Sequence, residues 1–167
     1  MNFHLLCSND KTKESLHYVR VDKTNIVATN AHILGVAPTN SVFSKDFIDN
    51  IESPFYIHKE DWQKMVNVSV THLIWHDKQM IEILIKGKRP KFVKIETGIV
   101  FPKWEEVIPY NENPVKRIGI NAEQAALLQK ALCVDYLELV FDTPSSAIKV
   151  NTDKANVYGL VMPCKLQ

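Results

Sequence analysis

The sequence predicts an α+β fold in which two short helices pack on antiparallel sheets, with an internal pseudo-repeat. Three observations predict it. Most of the chain divides into short apolar and β-branched runs bounded by turn residues, which is the pattern of short antiparallel strands. Two segments instead space their apolar residues at helical intervals. The order of one helix followed by three strands occurs twice, at 58–97 and at 121–163.

The elements follow in order. Residues 16–21 form a strand with Tyr18, Val19 and Val21. Asn25–Thr29 and 33–37 form the next two, and Pro38 stops the second. The polar stretch 41–53 spaces Phe43, Phe47, Ile48 and Ile51 irregularly and reads as a loop with one turn of helix. A helix at 58–67 puts Trp62, Met65 and Val66 on one face. Strands follow at 71–75, 80–85 and 92–97, with turns at Asp77-Lys78 and Gly87-Lys88. The second helix, 121–132, has the stronger signal. Asn121 can cap it, Gln124 can reach back in a variant of the capping box, and Leu127, Leu128, Ala131 and Leu132 make an apolar stripe. The last strands are 136–141, 147–150 and 157–163. No Gly/Ser-rich or charged linker divides the halves; 110–114 is the one candidate, so strands of both halves can share one body. The expectation is a single domain over 1–167, with halves at 16–109 and 114–167 and an N-terminal arm at 1–15.

Composition narrows the function classes. The chain has 167 residues, 46% hydrophobic and 23% charged, which suits a folded globular domain. Lys and Arg total 20 against 19 Asp and Glu, which excludes binding to nucleic acid by bulk charge but leaves room for a local basic face. The five glycines are too scattered for a dinucleotide fingerprint or a P-loop. Cys7, Cys133 and Cys164 are far apart and odd in number, so reduced thiols in a cytoplasmic protein are expected, with neither disulfides nor a zinc site. No apolar run is long enough to span a bilayer, and no membrane partner is expected.

Catalysis finds no support either. His72 and His76 share a face on a helix or a strand, but a zinc site needs three or four ligands and Asp77 is the only carboxylate adjacent. No nucleophile elbow is present, and the carboxylates of Asp61 and Glu105-Glu106 sit among charges of both signs. The expectation is a protein that is not an enzyme and uses no cofactor.

Three stretches carry a resemblance: Ile26-Val27-Ala28-Thr29-Asn30-Ala31-His32-Ile33-Leu34, Phe101-Pro102-Lys103-Trp104-Glu105-Glu106-Val107-Ile108-Pro109, and Tyr158-Gly159-Leu160-Val161-Met162-Pro163-Cys164-Lys165-Leu166. Together, in this order, they resemble the bacterial sliding clamp, the beta subunit of the replicative DNA polymerase. That family shows V-A-T-D-G-H-R-L-A, then F-P-D-Y-R-R-V-I/L-P, then Y-V-V-M-P-M-R-L. The segment from Phe55 to Met65 resembles the second helix of a clamp's middle domain, and Asn121 to Leu132 that of its last domain. The chain looks like two second halves of clamp domains joined directly. It lacks the stretch a clamp has between the equivalents of Pro109 and Arg117.

The resemblance implies a DNA-clamp-like fold and a non-catalytic role linked to DNA replication, with partners that carry clamp-binding linear motifs. It implies that the three stretches line a hydrophobic peptide pocket made by Thr29, Ala31, His32, Ile33, Leu34, Pro102, Glu106, Val107, Ala147, Leu160, Val161 and Met162. Read from the residues alone, Ile26, Val27, Leu34, Leu160 and Val161 are apolar strand positions that any sheet protein would bury. The family's Asp-Gly-His-Arg is Asn30-Ala31-His32-Ile33 here, and its Arg-Arg is Glu105-Glu106, which would favour a basic peptide over an acidic one. The resemblance also implies contact with double-stranded DNA from the helices, with Lys59, Lys64, Lys116, Arg117 and Lys130 as candidates. A closed ring needs six such domains, so one domain per chain would demand a hexamer, and the assembly state stays open. The densest basic cluster, Lys86, Lys88, Arg89, Lys91 and Lys94, reads as a solvated turn. The alternative function is an interaction module that keeps the clamp fold, competes for clamp partners and does not encircle DNA.

Overall fold

The computed structural model describes residues 1–66, 70–77 and 79–165. Ten strands are described: β1 (Tyr18–Val21), β2 (Asn25–Thr29), β3 (Ile33–Pro38), β4 (Phe55–His58), β5 (Val70–Asp77), β6 (Met80–Ile85), β7 (Lys91–Lys94), β8 (Leu137–Val140), β9 (Ile148–Thr152) and β10 (Tyr158–Val161). The α-helices are α1 (Lys45–Asp49), α2 (Lys59–Met65) and α3 (Ala122–Leu132). Short 3₁₀ turns cover Phe3–Leu6, Glu14–His17, Thr39–Ser41 and Trp104–Val107. Every described strand pairing is antiparallel. The predicted α+β class is therefore the observed one.

Seven strands form one sheet in the order β4-β1-β2-β3-β10-β9-β8, and β5-β6-β7 form a second. Both helix-plus-three-strand units are present in sequence, but their strands behave differently. β5 to β7 make a sheet of their own, whereas β8 to β10 extend the sheet begun by β1 to β4. The join is β3 against β10, where Gly35 lies directly opposite Gly159. A bridge from Tyr56 to Glu96 ties the small sheet to the large one, with backbone hydrogen bonds of 2.8 and 2.9 Å.

The larger core lies on one face of the seven-stranded sheet. There α2 and α3 pack with Phe3 and Leu6 over Val19, Ile26, Ala28 and Val150. Asn121 caps α3 by accepting from the backbone N–H of Glu123 and Gln124 at 3.0 and 3.2 Å. Cys133 ends the helix in the left-handed region at φ 55°. The side chains of Gly35 and Gly159 are single hydrogens because α3 and the Phe3–Leu6 turn need the space. A Cβ on Gly159 would stand 2.7 Å from Leu128 Cδ2, and one on Gly35 would stand 2.5 Å from Leu6 Cδ1.

One expectation is corrected. Phe55–His58 is a strand, not the start of a helix; it pairs along its length with β1, and Phe55, Tyr56 and Ile57 are buried. The helix begins only after His58, whose Nδ1 accepts from the N–H of Glu60. The N-terminal arm, 1–15, is anchored to the core through its first residues. Phe3 and Leu6 are fully buried, the N–H of Asn2 donates to Ala131 O at 2.7 Å, and Trp62 Nε1 donates to Met1 O at 3.2 Å. The predicted turn at Asp77-Lys78 and the helix end at Asn67 fall partly outside the described residues, as does Leu166. The stretch read as a loop with one helical turn contains α1, whose Phe47 stacks between Phe43 and Trp75 at 4.4 and 4.5 Å. Trp75 Nε1 donates to Phe47 O, which pins β5 to the core.

Cys7, Cys133 and Cys164 are free thiols. Burial pushes the Cys7 thiol up to about 12. No described helix is long and apolar enough to cross a membrane.

Candidate functional site

Alternation along the strands sends every second side chain to the face opposite the helices. Val27, Leu34, Val36, Ala147 and Leu160 lie on that face and form a smaller core with Trp104. The segment carrying Phe101 and Pro102 passes over this face, and its 3₁₀ turn, Trp104–Val107, drops the indole onto the sheet with 5% of Trp104 exposed. The segment does not cover the whole face. Between it and the ends of β2, β3 and β10 lies a cavity of about 240 Å³.

A three-residue hairpin forms one wall. Asn30 Oδ1 accepts from the N–H of His32 and Ile33 at 2.9 and 3.0 Å. Thr29 Oγ1 donates to Ile33 O at 2.7 Å and accepts from the N–H of Ala31 at 3.0 Å. Ala31 is thereby held at φ 77° in the left-handed region. Met162 N–H donates to His32 O at 2.8 Å, so the chain beyond β10 closes against the same hairpin.

The structure brings most of the predicted pocket residues together. Thr29, Ala31, His32, Ile33, Leu34, Pro102, Val107, Leu160 and Met162 all line the cavity. Three do not. Val161 points to the opposite face and is fully buried in the helix-side core, because its neighbour Leu160 takes the cavity face. Ala147 sits in the smaller core without lining the cavity. Glu106 is exposed and its Oε1 lies 3.3 Å from Lys103 Nζ, so the rim pairs a cation with the carboxylate that was expected to select a basic peptide. Leu16, Lys103 and Trp104 line the cavity without having been singled out. Trp104 lies inside the second motif, so its position was the available signal; Leu16 has none. The Trp104 Nε1 is buried and finds no acceptor among the described residues.

The lining is apolar apart from Thr29, His32 and Lys103. Its volume is below the roughly 300–1,000 Å³ of clefts that enclose a drug-sized molecule, so it suits an anchoring side chain or two. Val107 and Met162 are 54% and 41% exposed at the rim.

Comparison with solved structures decides the fold. The DNA polymerase III beta subunit of Thermotoga maritima superposes with a TM-score of 0.68, over 99% of this chain and 63% of that one, at 12% identity. The DNA polymerase sliding clamp of Bacillus subtilis gives 0.70, over 99% and 62%, at 10% identity. The fold is that of a bacterial sliding clamp. The DNA polymerase III beta subunit of Borrelia burgdorferi, solved with a natural product, gives 0.70 over 98% and 59% at 11% identity. No protein-family model matches the sequence, and no curated protein matches it. The chain spans about three fifths of the length of these clamps.

On this clamp fold the cations proposed for DNA are differently placed. Lys59 Nζ donates to Ser8 O and Asn9 Oδ1, both at 2.7 Å, and so holds the N-terminal segment. Lys64 Nζ lies 2.6 Å from Asp61 Oδ1. Lys116, Arg117 and Lys130 are exposed. His72 and His76 share the outer face of β5, and the described residues contain no cluster of three or more His, Cys, Asp or Glu able to hold a metal.

Proposed function

We propose that this clamp-fold chain is a non-catalytic protein associated with DNA replication, which captures short linear peptides through apolar anchors in the cavity. The observation that carries the reading is the apolar cavity itself, which lies where three separate sequence motifs converge. An anchor side chain enters between the hairpin of β2 and β3, the Trp104–Val107 turn and Met162. Burying one leucine or phenylalanine side chain there contributes about 1.5–3 kcal/mol. Met162, with its flexible thioether, adapts the rim to different anchors.

The test is fluorescence anisotropy with a labelled peptide of the clamp-binding class. Met162→Asp places a charge at the rim and abolishes binding while the circular dichroism spectrum stays unchanged. Wild-type affinity in that variant overturns the reading.

A second reading, an interaction module that competes for clamp partners without encircling DNA, is favoured by the engagement of Lys59 and Lys64 within the chain. Mass in solution separates the two. A closed ring supports encirclement, and a monomer that takes up the peptide supports the competitor.

A further inference from the structure

The outer face of the small sheet is built differently from the rest of the surface. β6 and β7 and their turn carry Lys86, Lys88, Arg89, Lys91 and Lys94, all exposed; Lys94 Nζ lies 2.8 Å from Glu96 Oε1, which leaves the turn cations Lys86, Lys88 and Arg89 and Lys91 of β7 for an outside anion, with no carboxylate between Ile83 and Ile95. Removing these 5 cations from the chain total leaves 15 Lys and Arg against 19 Asp and Glu. Counting Glu82 of β6 with them, the hairpin holds +4 and the remainder of the chain −3, so a near-neutral total conceals a segregation of charge.

Among the described residues, the outer face of this sheet exposes one apolar ring. Phe92 on β7 is 49% exposed and lies between Lys91 and Lys94. Its ring meets that of His76 on β5 edge-on, with centroids 4.7 Å apart. Glu82, the residue opposite Phe92, lies 3.9 Å from His76 Nδ1. Ile74, 41% exposed, continues the face beside them. β7 is an edge strand, and Lys88 and Lys91 line a groove beside α2 on its other flank, together with Glu60 and Lys64. Cations thus flank a strand that presents an aromatic ring.

We propose that this face binds single-stranded nucleic acid, with an unstacked base on Phe92 and the phosphates along the hairpin cations. Charge complementarity selects a polyanion. The exposed ring selects one whose bases are free to stack, because a duplex keeps its bases stacked on one another. The turn itself, Gly87-Lys88-Arg89-Pro90, has no large apolar residue to insert into a bilayer, which argues against an anionic membrane as the occupant.

The test uses the full chain and a labelled oligothymidylate in fluorescence anisotropy, with the matching duplex and phosphatidylserine vesicles as competitors. The oligothymidylate binds more tightly than the duplex and is not displaced by the vesicles. Phe92→Ala weakens it about tenfold, with the circular dichroism spectrum retained, since the ring is half exposed. Lys88→Gln with Arg89→Gln reduces the slope of log affinity against log salt by about 1.4, at roughly 0.7 for each single-strand phosphate left without its cation. Phe92→Trp keeps the affinity, and its new indole fluorescence is quenched by the oligonucleotide. Equal or tighter duplex binding, displacement by vesicles, unchanged affinity in Phe92→Ala, or no binding at low salt each overturns the proposal. Met162→Asp leaves this binding intact, so failure here is distinct from failure of the peptide cavity.

Discussion

Replacing Gly159 with Ala is expected to destabilise the fold by about 2 kcal/mol. The added Cβ would stand 2.8 Å from Leu34 O and 2.7 and 2.9 Å from the two terminal carbons of Leu128. The leucine can turn away, but Leu34 O belongs to the backbone of a central strand directly across from β10. Relief then means moving β3 or lifting α3. Overpacking of this kind costs about 1–3 kcal/mol, and the rigid neighbour places it at the upper end. Losing the conformational freedom of glycine in the unfolded chain returns about 0.5–1 kcal/mol. The net loss of about 2 kcal/mol corresponds to a melting temperature lower by about 4–8 °C for a domain of this size. Gly35→Ala meets Leu6 Cδ1 at 2.5 Å and Leu132 Cδ2 at 3.0 Å, both ends of flexible side chains, and should cost about half as much. The double variant should cost somewhat less than the sum, because a displacement of α3 relieves the Leu128 contacts of residue 159 and the Leu132 contact of residue 35 together, while the Leu6 contact remains. Thermal unfolding followed by circular dichroism measures all three. A Gly159→Ala protein that melts at or above the wild-type temperature, or a Gly35→Ala protein that melts lower than it, would refute the packing account.

Two further outcomes follow from the turns of the large sheet. Ala31→Gly should raise stability by about 0.5–1 kcal/mol, since relief of about 1–2 kcal/mol of left-handed strain exceeds the added freedom of the unfolded chain; an unchanged or lower unfolding midpoint in urea contradicts this. Asp22 takes hydrogen bonds from the N–H and Oγ1 of Thr24 and the N–H of Asn25 at 2.7–2.8 Å, and lies 2.6 Å from Arg20. Burial alone would raise its carboxyl, but these donors together hold it below the usual carboxylate range. A carboxyl lowered in the folded state contributes stability above its unfolded value of about 3.9 and loses that contribution as pH falls through its folded value. Asp22→Ala should therefore cost about 2 kcal/mol at neutral pH, and the gap to wild type should narrow below about pH 4. A gap that stays constant through the acid range would show that the carboxylate charge is not involved.

The strands that read most clearly in the sequence were those with a stop or a turn at each end. Asn25–Thr29 and Met80–Ile85 have the predicted bounds, and Asn121 starts α3 as its capping chemistry implies. β4 was missed because Phe55-Tyr56-Ile57 runs into α2 with no turn residue between, so an apolar strand and an amphipathic helix read as one segment. The burial of Phe3 and Leu6 was not legible because it depends on α2 and α3, far along the chain. Motif order brought the walls of the cavity to attention, but local pattern could not say which face of β10 each residue takes. One residue of register separates Leu160 at the cavity from Val161 in the core. The basic hairpin was legible as charge alone. What changes its meaning is Phe92 beside His76, a contact between strands that sequence spacing does not reveal.

The join of β3 to β10 also sets a schedule. β3 ends at Pro38, whereas β10 begins at Tyr158. While the chain emerges from the ribosome, β1, β2 and β3 can pair long before β10 exists. During that interval β3 is a sheet edge carrying Ile33, Leu34 and Val36, with its hydrogen-bonding row unpaired. A nascent chain stalled before Tyr158 has neither the continuous seven-stranded sheet nor the cavity, and its sticky edge is open to pairing with a neighbouring copy. The last strand to be synthesised among those described is thus the one that ends this exposure and completes the cavity wall.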